Sequence, residues 1–287
     1  TIKSVKPGTY QEIDGQGNSI KTINFNKEQL PKFQNLSPKI KKRLLEFLKY
    51  VKKVSKSNTC IVCLSGGLDS TIIAYYSKRI FKKVITVTAY CAENKKNFEV
   101  KAAQKISNYL KLNNIQIPIY KKNIKDNLIK ILEACQDWRD YNVHCSALNF
   151  IIGKNLASKK LFFPLFTGDF MNEIFADYRT EKFNNKIVYN VPQLDFFYKR
   201  RFFISALETS DRETGVFGYH NISAYQPYAV IYDLYNCIPK KIMKKPKSKY
   251  IVNGKLIPKK LLNLVLKSKN RAQIGDKSGG LIKYFFD

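Results

Sequence analysis

Six consecutive residues, Ser65-Gly66-Gly67-Leu68-Asp69-Ser70, combine two glycines, two hydroxyls and one carboxylate. Adjacent glycines let a backbone approach an anion closely, and successive N–H groups in such a turn point inward as a nest. Ser65 and Ser70 add hydroxyl donors, so Leu64 to Ser70 reads as a phosphate cradle. Asp69 is the odd member, because a carboxylate beside phosphates makes sense when Mg²⁺ bridges the two. The turn has no lysine and matches neither GxxxxGK[ST] nor GxGxxG, so it is neither a Walker loop nor a dinucleotide fingerprint.

Position supports the same chemistry. "CIVCL" at 60–64 reads as a buried strand and 69–80 as a helix, so the turn lies at a strand's carboxyl end and a helix N-terminus. Open α/β sheets bind ligands there, and the helix dipole adds partial positive charge. Further strands are expected at 84–89, 115–120 and 161–166, separated by helices at 69–80, 98–112 and 140–158. Pro118 and Pro164 weaken the strands that hold them, since proline cannot donate in a central ladder. The alternation predicts an α/β fold: a mostly parallel twisted sheet with helices on both faces.

Upstream, Ser37-Pro38 resembles an N-cap and first helical position, followed by Ile40, Leu44, Phe47, Leu48, Val51 and Val54 at helical spacing. Beyond about 190 the pattern becomes helical and irregular. The expected division is a connector hairpin in 1–36, an α/β core in 37–190, and a helical substrate region with a basic C-terminal loop in 191–287.

Composition excludes several classes. With 44% hydrophobic residues over 287 positions, the chain has material for a large core. No apolar run approaches the roughly 18–20 residues of a membrane span, and no signal-peptide pattern opens the chain. A cytoplasmic protein with no membrane partner is therefore expected. Cys60 and Cys63 form a CxxC inside a strand, where their side chains point to opposite faces, and no second pair follows at zinc spacing. The formal charge of +29 raises the local concentration of anions, nucleotides and nucleic acid included.

"SGGLDS" resembles the SGGxDS pyrophosphate loop of the ATP-pyrophosphatase (PP-loop) superfamily. The resemblance implies ATP and Mg²⁺ as ligands, with cleavage between the α- and β-phosphates and adenylation of a carboxylate. Three further segments resemble the asparagine synthetase and β-lactam synthetase group. They are "LFTGDFMNEIFADY" at 165–178, "SVKPGTYQEI" near the start, and "RAQIGDKSGG" at 271–280.

That likeness implies a set of roles. Asp69 would hold Mg²⁺, and Gly168 and Asp169 would border the nucleotide. Where the group carries a second aspartate this chain has Asn172, which can ligate through its carbonyl oxygen but without charge. Asp169 or Glu173 would complete or support the metal site. Backbone near Val87, Thr88 and Ala89 would read the adenine, and Glu99 matches an acidic position at the next helix start. Arg271, Lys269 or Lys277 would close over pyrophosphate, and Asp211 would orient or deprotonate the amine.

The expected activity is amide formation from a small-molecule or peptide carboxylate through an acyl-adenylate. The short connector leaves a separate glutaminase, an upstream segment, or an amine already on the substrate as the nitrogen source. Two alternatives remain: a PP-loop enzyme acting on tRNA, favoured by charge alone, and a nucleotide-binding relative weakened by Asn172.

Overall fold

The computed structural model describes residues 9–24, 36–93, 97–136, 140–174, 181–183, 186–189, 215–219, 221–223 and 248–266. The first of these ranges is an antiparallel hairpin of β1 (Thr9–Ile13) and β2 (Ser19–Asn24). The connector hairpin expected after "VKPG" is therefore present.

Helix α1 (Leu36–Val54) leads into β3 (Thr59–Cys63), α2 (Leu68–Ile80), β4 (Lys83–Cys91), α3 (Phe98–Leu110) and β5 (Asn113–Ile119). Then come α4 (Lys121–Lys125), α5 (Leu128–Cys135), α6 (Asp140–Ser158), β6 (Leu165–Thr167) and α7 (Met171–Ile174). A small hairpin of β7 (Glu181–Phe183) and β8 (Lys186–Tyr189) precedes β9 (Asn221–Ser223). Last are α8 (Ser248–Asn253), a 3-10 turn at Gly254–Leu256, and α9 (Lys259–Leu262).

Five strands form one sheet in the order β5-β4-β3-β6-β9, and every pairing is parallel. Side chains alternate across it. Cys60, Val62 and Val84 enter one core with α1, α2 and α3, while Ile61, Ile85 and Val87 enter a second core with α5 and α6. The sheet is thus covered on both faces, as the sequence pattern predicts. Cys60 and Cys63 do part to opposite faces.

Several local expectations change. Ser37 does not cap α1; its hydroxyl donates 2.9 Å to the Val252 carbonyl across the core. Val54 is exposed at the end of α1, although Ile40, Leu44, Leu48 and Val51 are buried as their spacing predicts. The predicted strand at 161–166 shrinks to β6, since Pro164 precedes it and serves only as an acceptor for Ile61 N–H at 2.8 Å. Pro118 is accommodated because β5 is an edge strand. Helices α4 and α5 carry no signal that the alternation of the sequence revealed.

The described residues beyond 190 join the same body. β9 extends the sheet, and Val252, Leu256, Leu261 and Val265 pack into the core of α1 and α2. The buried Tyr76 hydroxyl donates 2.6 Å to the Leu256 carbonyl, bridging α2 to a residue 180 positions later. Replacing Tyr76 with Phe leaves that carbonyl unpaired, and we expect a loss of about 1–2 kcal/mol. Thermal unfolding followed by circular dichroism should show Tm falling by a few degrees (about 2–4 °C per kcal/mol in chains of this size class).

Candidate active site

The strand order reverses between β3 and β6: β4 and β5 lie on one side, β6 and β9 on the other. Ligands of open α/β sheets bind outside the carboxyl ends of the strands at such a switch point. Residues 64–70 leave β3 into this crevice, and residues 168–172 leave β6 into it from the opposite wall. β9 reaches the same edge, because Thr167 pairs with Ser223.

Two glycines allow the walls to close. Gly66 has φ +75°, and a Cβ there would stand 2.8 Å from Ala102 Cβ and 3.2 Å from the Glu99 carbonyl oxygen in α3. A Cβ on Gly168 would lie 2.9 Å from Ser70 N and 3.3 Å from Asp69 Cβ. Backbone therefore meets backbone at both contacts. Between them Phe170 adopts φ +77°, a left-handed conformation uncommon for a bulky residue, with its ring packed on the core.

Hydroxyls fix the turn. Ser70 Oγ accepts from Ser65 N at 3.2 Å and donates to the Gly67 carbonyl at 3.3 Å, while Thr71 Oγ1 donates to that carbonyl at 2.6 Å. Thr88 Oγ1 donates to the Leu64 carbonyl at 2.7 Å, tying the start of the turn to β4. Gly67 is the N-cap of α2 and no side chain caps the helix, so its first-turn N–H groups face the crevice as donors.

The charges at the site converge on one point. Asp69, in the first turn of α2, and Lys249, on α8, are 8% and 5% exposed. Lys249 Nζ donates to Asp69 Oδ2 at 2.7 Å and to Asn172 Oδ1 at 2.7 Å. The C-terminal segment touches the turn a second time, where Leu266 N donates 3.0 Å to the Gly66 carbonyl. Tyr250, next to Lys249, holds the Leu266 carbonyl through its hydroxyl at 2.6 Å.

The asparagine synthase family model matches residues 49–221, more than half of the chain, and that span contains both walls of the crevice. The chain belongs to the asparagine synthase family. It is an ATP-using ligase with the PP-loop fold. Among solved structures it is similar to an NH3-dependent NAD synthetase from Campylobacter jejuni, at 16% identity and TM-score 0.38, covering 80% of this chain and 98% of that one. It is also similar to an NMN synthetase from Francisella tularensis, at 11% identity and TM-score 0.40, covering 79% and 90%. Among curated proteins none matches the chain.

Within this family member the structure brings together Leu64, Ser65, Gly66, Gly67, Leu68, Asp69 and Ser70 with Gly168 and Asn172. Asp169 faces the end of β3, where its charge, after the larger effect of burial, helps push the Cys63 thiol up to about 12. The Val87 carbonyl accepts from Leu64 N at 2.8 Å, and Thr88 is buried in the β3–β4 contact. Both are spent on the ladder. Ala89, half-buried beyond the end of β3, is the one of the three that borders the crevice. Glu99 contributes its backbone to the Gly66 contact. Glu173 lies on α7 with its side chain outside the described residues, as do Asp211, Lys269, Arg271 and Lys277 altogether. The prediction missed Lys249, whose sequence context differs little from that of the surrounding lysines.

Magnesium fits this donor set in part. The ion takes oxygens at about 2.0–2.1 Å and usually pairs one or two protein ligands with waters and substrate phosphates. Asp69 Oδ2 and Asn172 Oδ1, from different elements, already aim at one cation. Among the described residues no group of three or more His, Cys, Asp or Glu could hold a metal. The two oxygens therefore make a partial shell, suited to an ion that brings its own phosphate ligands.

Two outcomes are expected from these contacts. Gly66→Ala should lose about 1–3 kcal/mol, because it strains a left-handed residue and drives a methyl into α3; urea unfolding measures this. Asp69→Asn should cost about 3–5 kcal/mol by leaving a buried ammonium without its anion. Adding Lys249→Met should restore most of that loss, a recovery that two independent surface sites would not give.

Proposed function

We propose that the protein adenylates a carboxylate and transfers the acyl group to ammonia or an amine. The observation that carries this reading is the pairing of SGGLDS with Gly168 and Asn172 across the β3–β6 switch point. One wall offers N–H and hydroxyl donors for phosphate; the other brings a second oxygen to the Asp69 cation point.

In this scheme a substrate carboxylate oxygen attacks the α-phosphorus, the bond to the β-phosphate oxygen breaks, and pyrophosphate leaves on the turn. The α2 N-terminus, Ser65 and Ser70 stabilise the charge that develops on it. Bound Mg²⁺, held by Asp69 and Asn172 with Asp169 or Glu173 in support, would neutralise the triphosphate. The amine then attacks the acyl carbon and AMP departs. The amine's proton goes to a base, for which Asp211 is the candidate. Ala89 borders the adenine side, and Arg271, Lys269 or Lys277 closes over pyrophosphate. The Leu266–Gly66 bond supports that closure, since it anchors the segment leading into those residues beside the turn. We assign the acceptor pocket to the 191–247 stretch, the ammonia source to a separate or upstream glutaminase, and the setting to the cytoplasm. Among the described residues no helix is long and apolar enough to cross a membrane.

The rival reading, a tRNA-modifying enzyme, draws on charge. A groove lined by Lys49, Lys52, Lys53, Lys56, Ser57 and Asn58 fits a polyanion. It lies before β3, at the amino edge of the sheet and away from the crevice. Burial pushes the Cys60 and Cys63 thiols up to about 12, so neither is a thiolate poised for sulfur transfer. Both observations favour amide formation.

ATP–pyrophosphate exchange, screened over aspartate, glutamate and peptide pools, tests the proposal. Exchange should require one class of carboxylate and Mg²⁺ and fall by about a hundredfold or more in Asp69→Asn. Near-ultraviolet circular dichroism must show that the variant is folded, because Asp69 also stabilises the core. ATP binding with no exchange on any acid would overturn the reading.

A further inference from the structure

Lys249 lies outside the residues matched by the family model and outside every motif of the sequence. Its ammonium nevertheless occupies the cation point of the site. It has three donors and places two of them, each at 2.7 Å, on Asp69 Oδ2 and Asn172 Oδ1. Three contacts fix the stem from which it projects. Ser37 Oγ donates to the Val252 carbonyl at 2.9 Å, Asn253 Nδ2 meets Met171 Sδ at 3.2 Å, and Val252 is buried in the core. The helix cannot withdraw, so only the four-carbon side chain is left to redirect the charge.

Charge decides what this arrangement does. The two acceptors carry one formal negative charge, because position 172 is an amide and not a carboxylate. The ammonium already balances that charge. A divalent ion arriving alone would find a neutral pair of oxygens and a cation within contact distance, and it would have to strip its own waters to displace that cation. A divalent ion arriving with a triphosphate brings several negative charges, enough for both cations.

We propose that Lys249 is the resident counter-ion of this site: it occupies the point between Asp69 and Asn172, so a divalent cation binds there only together with the nucleotide's phosphates, onto which the ammonium then turns. The nucleotide half of this statement rests on the reading above; the counter-ion half stands on the geometry alone.

Mn²⁺ titrated into the full chain, with the free ion followed by electron paramagnetic resonance, provides a test independent of turnover. Without nucleotide, the wild type should bind Mn²⁺ at least about tenfold more weakly than Lys249→Gln, which retains a donor for both oxygens. The gain should vanish in Asp69→Asn/Lys249→Gln. The non-cleavable analogue α,β-methylene-ATP should tighten Mn²⁺ binding to the wild type by about tenfold or more. Equal binding of nucleotide-free Mn²⁺ by wild type and Lys249→Gln would overturn the proposal, as would a gain that survives loss of Asp69. If Lys249→Gln does not fold, sub-millimolar Mn²⁺ binding by the nucleotide-free wild type overturns it and absence of such binding supports it. A wild type that fails to bind the analogue would remove the adenylation reading, while the nucleotide-free comparison would still decide the counter-ion.

Discussion

A carboxylate in the first turn of a buried helix must be neutralised, and much of this structure follows from how Asp69 meets that demand. Gly168 presses on Asp69 and Ser70 so closely that a single methyl would not fit, which shuts the carboxylate away from water. The helix N-terminus supplies part of the compensation. The rest comes from Lys249, 180 residues away in sequence, and that lysine is why the C-terminal segment belongs to the α/β core. Tyr76–Leu256, Ser37–Val252 and Asn253–Met171 surround the pair with contacts that keep α8 in place. The site and the fold are therefore not separable; removing the charge at the site unsettles the packing beneath it.

The same closeness suits the chemistry. Displacement at phosphorus needs the reacting groups held in line and charge stabilised where it develops, more than it needs an enzyme nucleophile. Gly66 against α3 and Gly168 against α2 turn two loops into fixed walls, and the Ser65–Ser70–Gly67 contacts remove what freedom the glycines would otherwise give. Phe170 at φ +77° belongs to the same economy: the loop accepts an uncommon backbone so that Asn172 arrives at the cation point.

The sequence made the phosphate wall legible because its signals are local. SGGLDS sits between a strand and a helix whose hydrophobic periods differ, and α6 begins and ends at the expected residues because nothing in it contradicts the pattern. The second wall was legible only through resemblance, since a three-residue β6 has no period to read. Val87 and Thr88 were expected to meet the base, but strand pairing consumes the Val87 carbonyl. Which strand end protrudes past its neighbour depends on register, and register is not written in one strand. Ser37 shows the same limit: a residue suited to capping found a better acceptor in Val252, which only the tertiary fold supplies.

Lys249 was illegible for a different reason. Among 51 lysines and arginines, one more lysine in "KSKY" carries no distinguishing mark. The excess charge and this single charge act by separate physics. Exposed lysines such as those around the 49–56 groove are screened beyond about 8 Å at physiological salt, so they raise the local concentration of any anion without choosing among them. A desolvated ammonium 2.7 Å from two oxygens is hardly screened and acts at one place. Net charge therefore bounds the class of partner, whereas burial locates the cation that matters. In a chain this basic, the informative lysine is the one that water cannot reach.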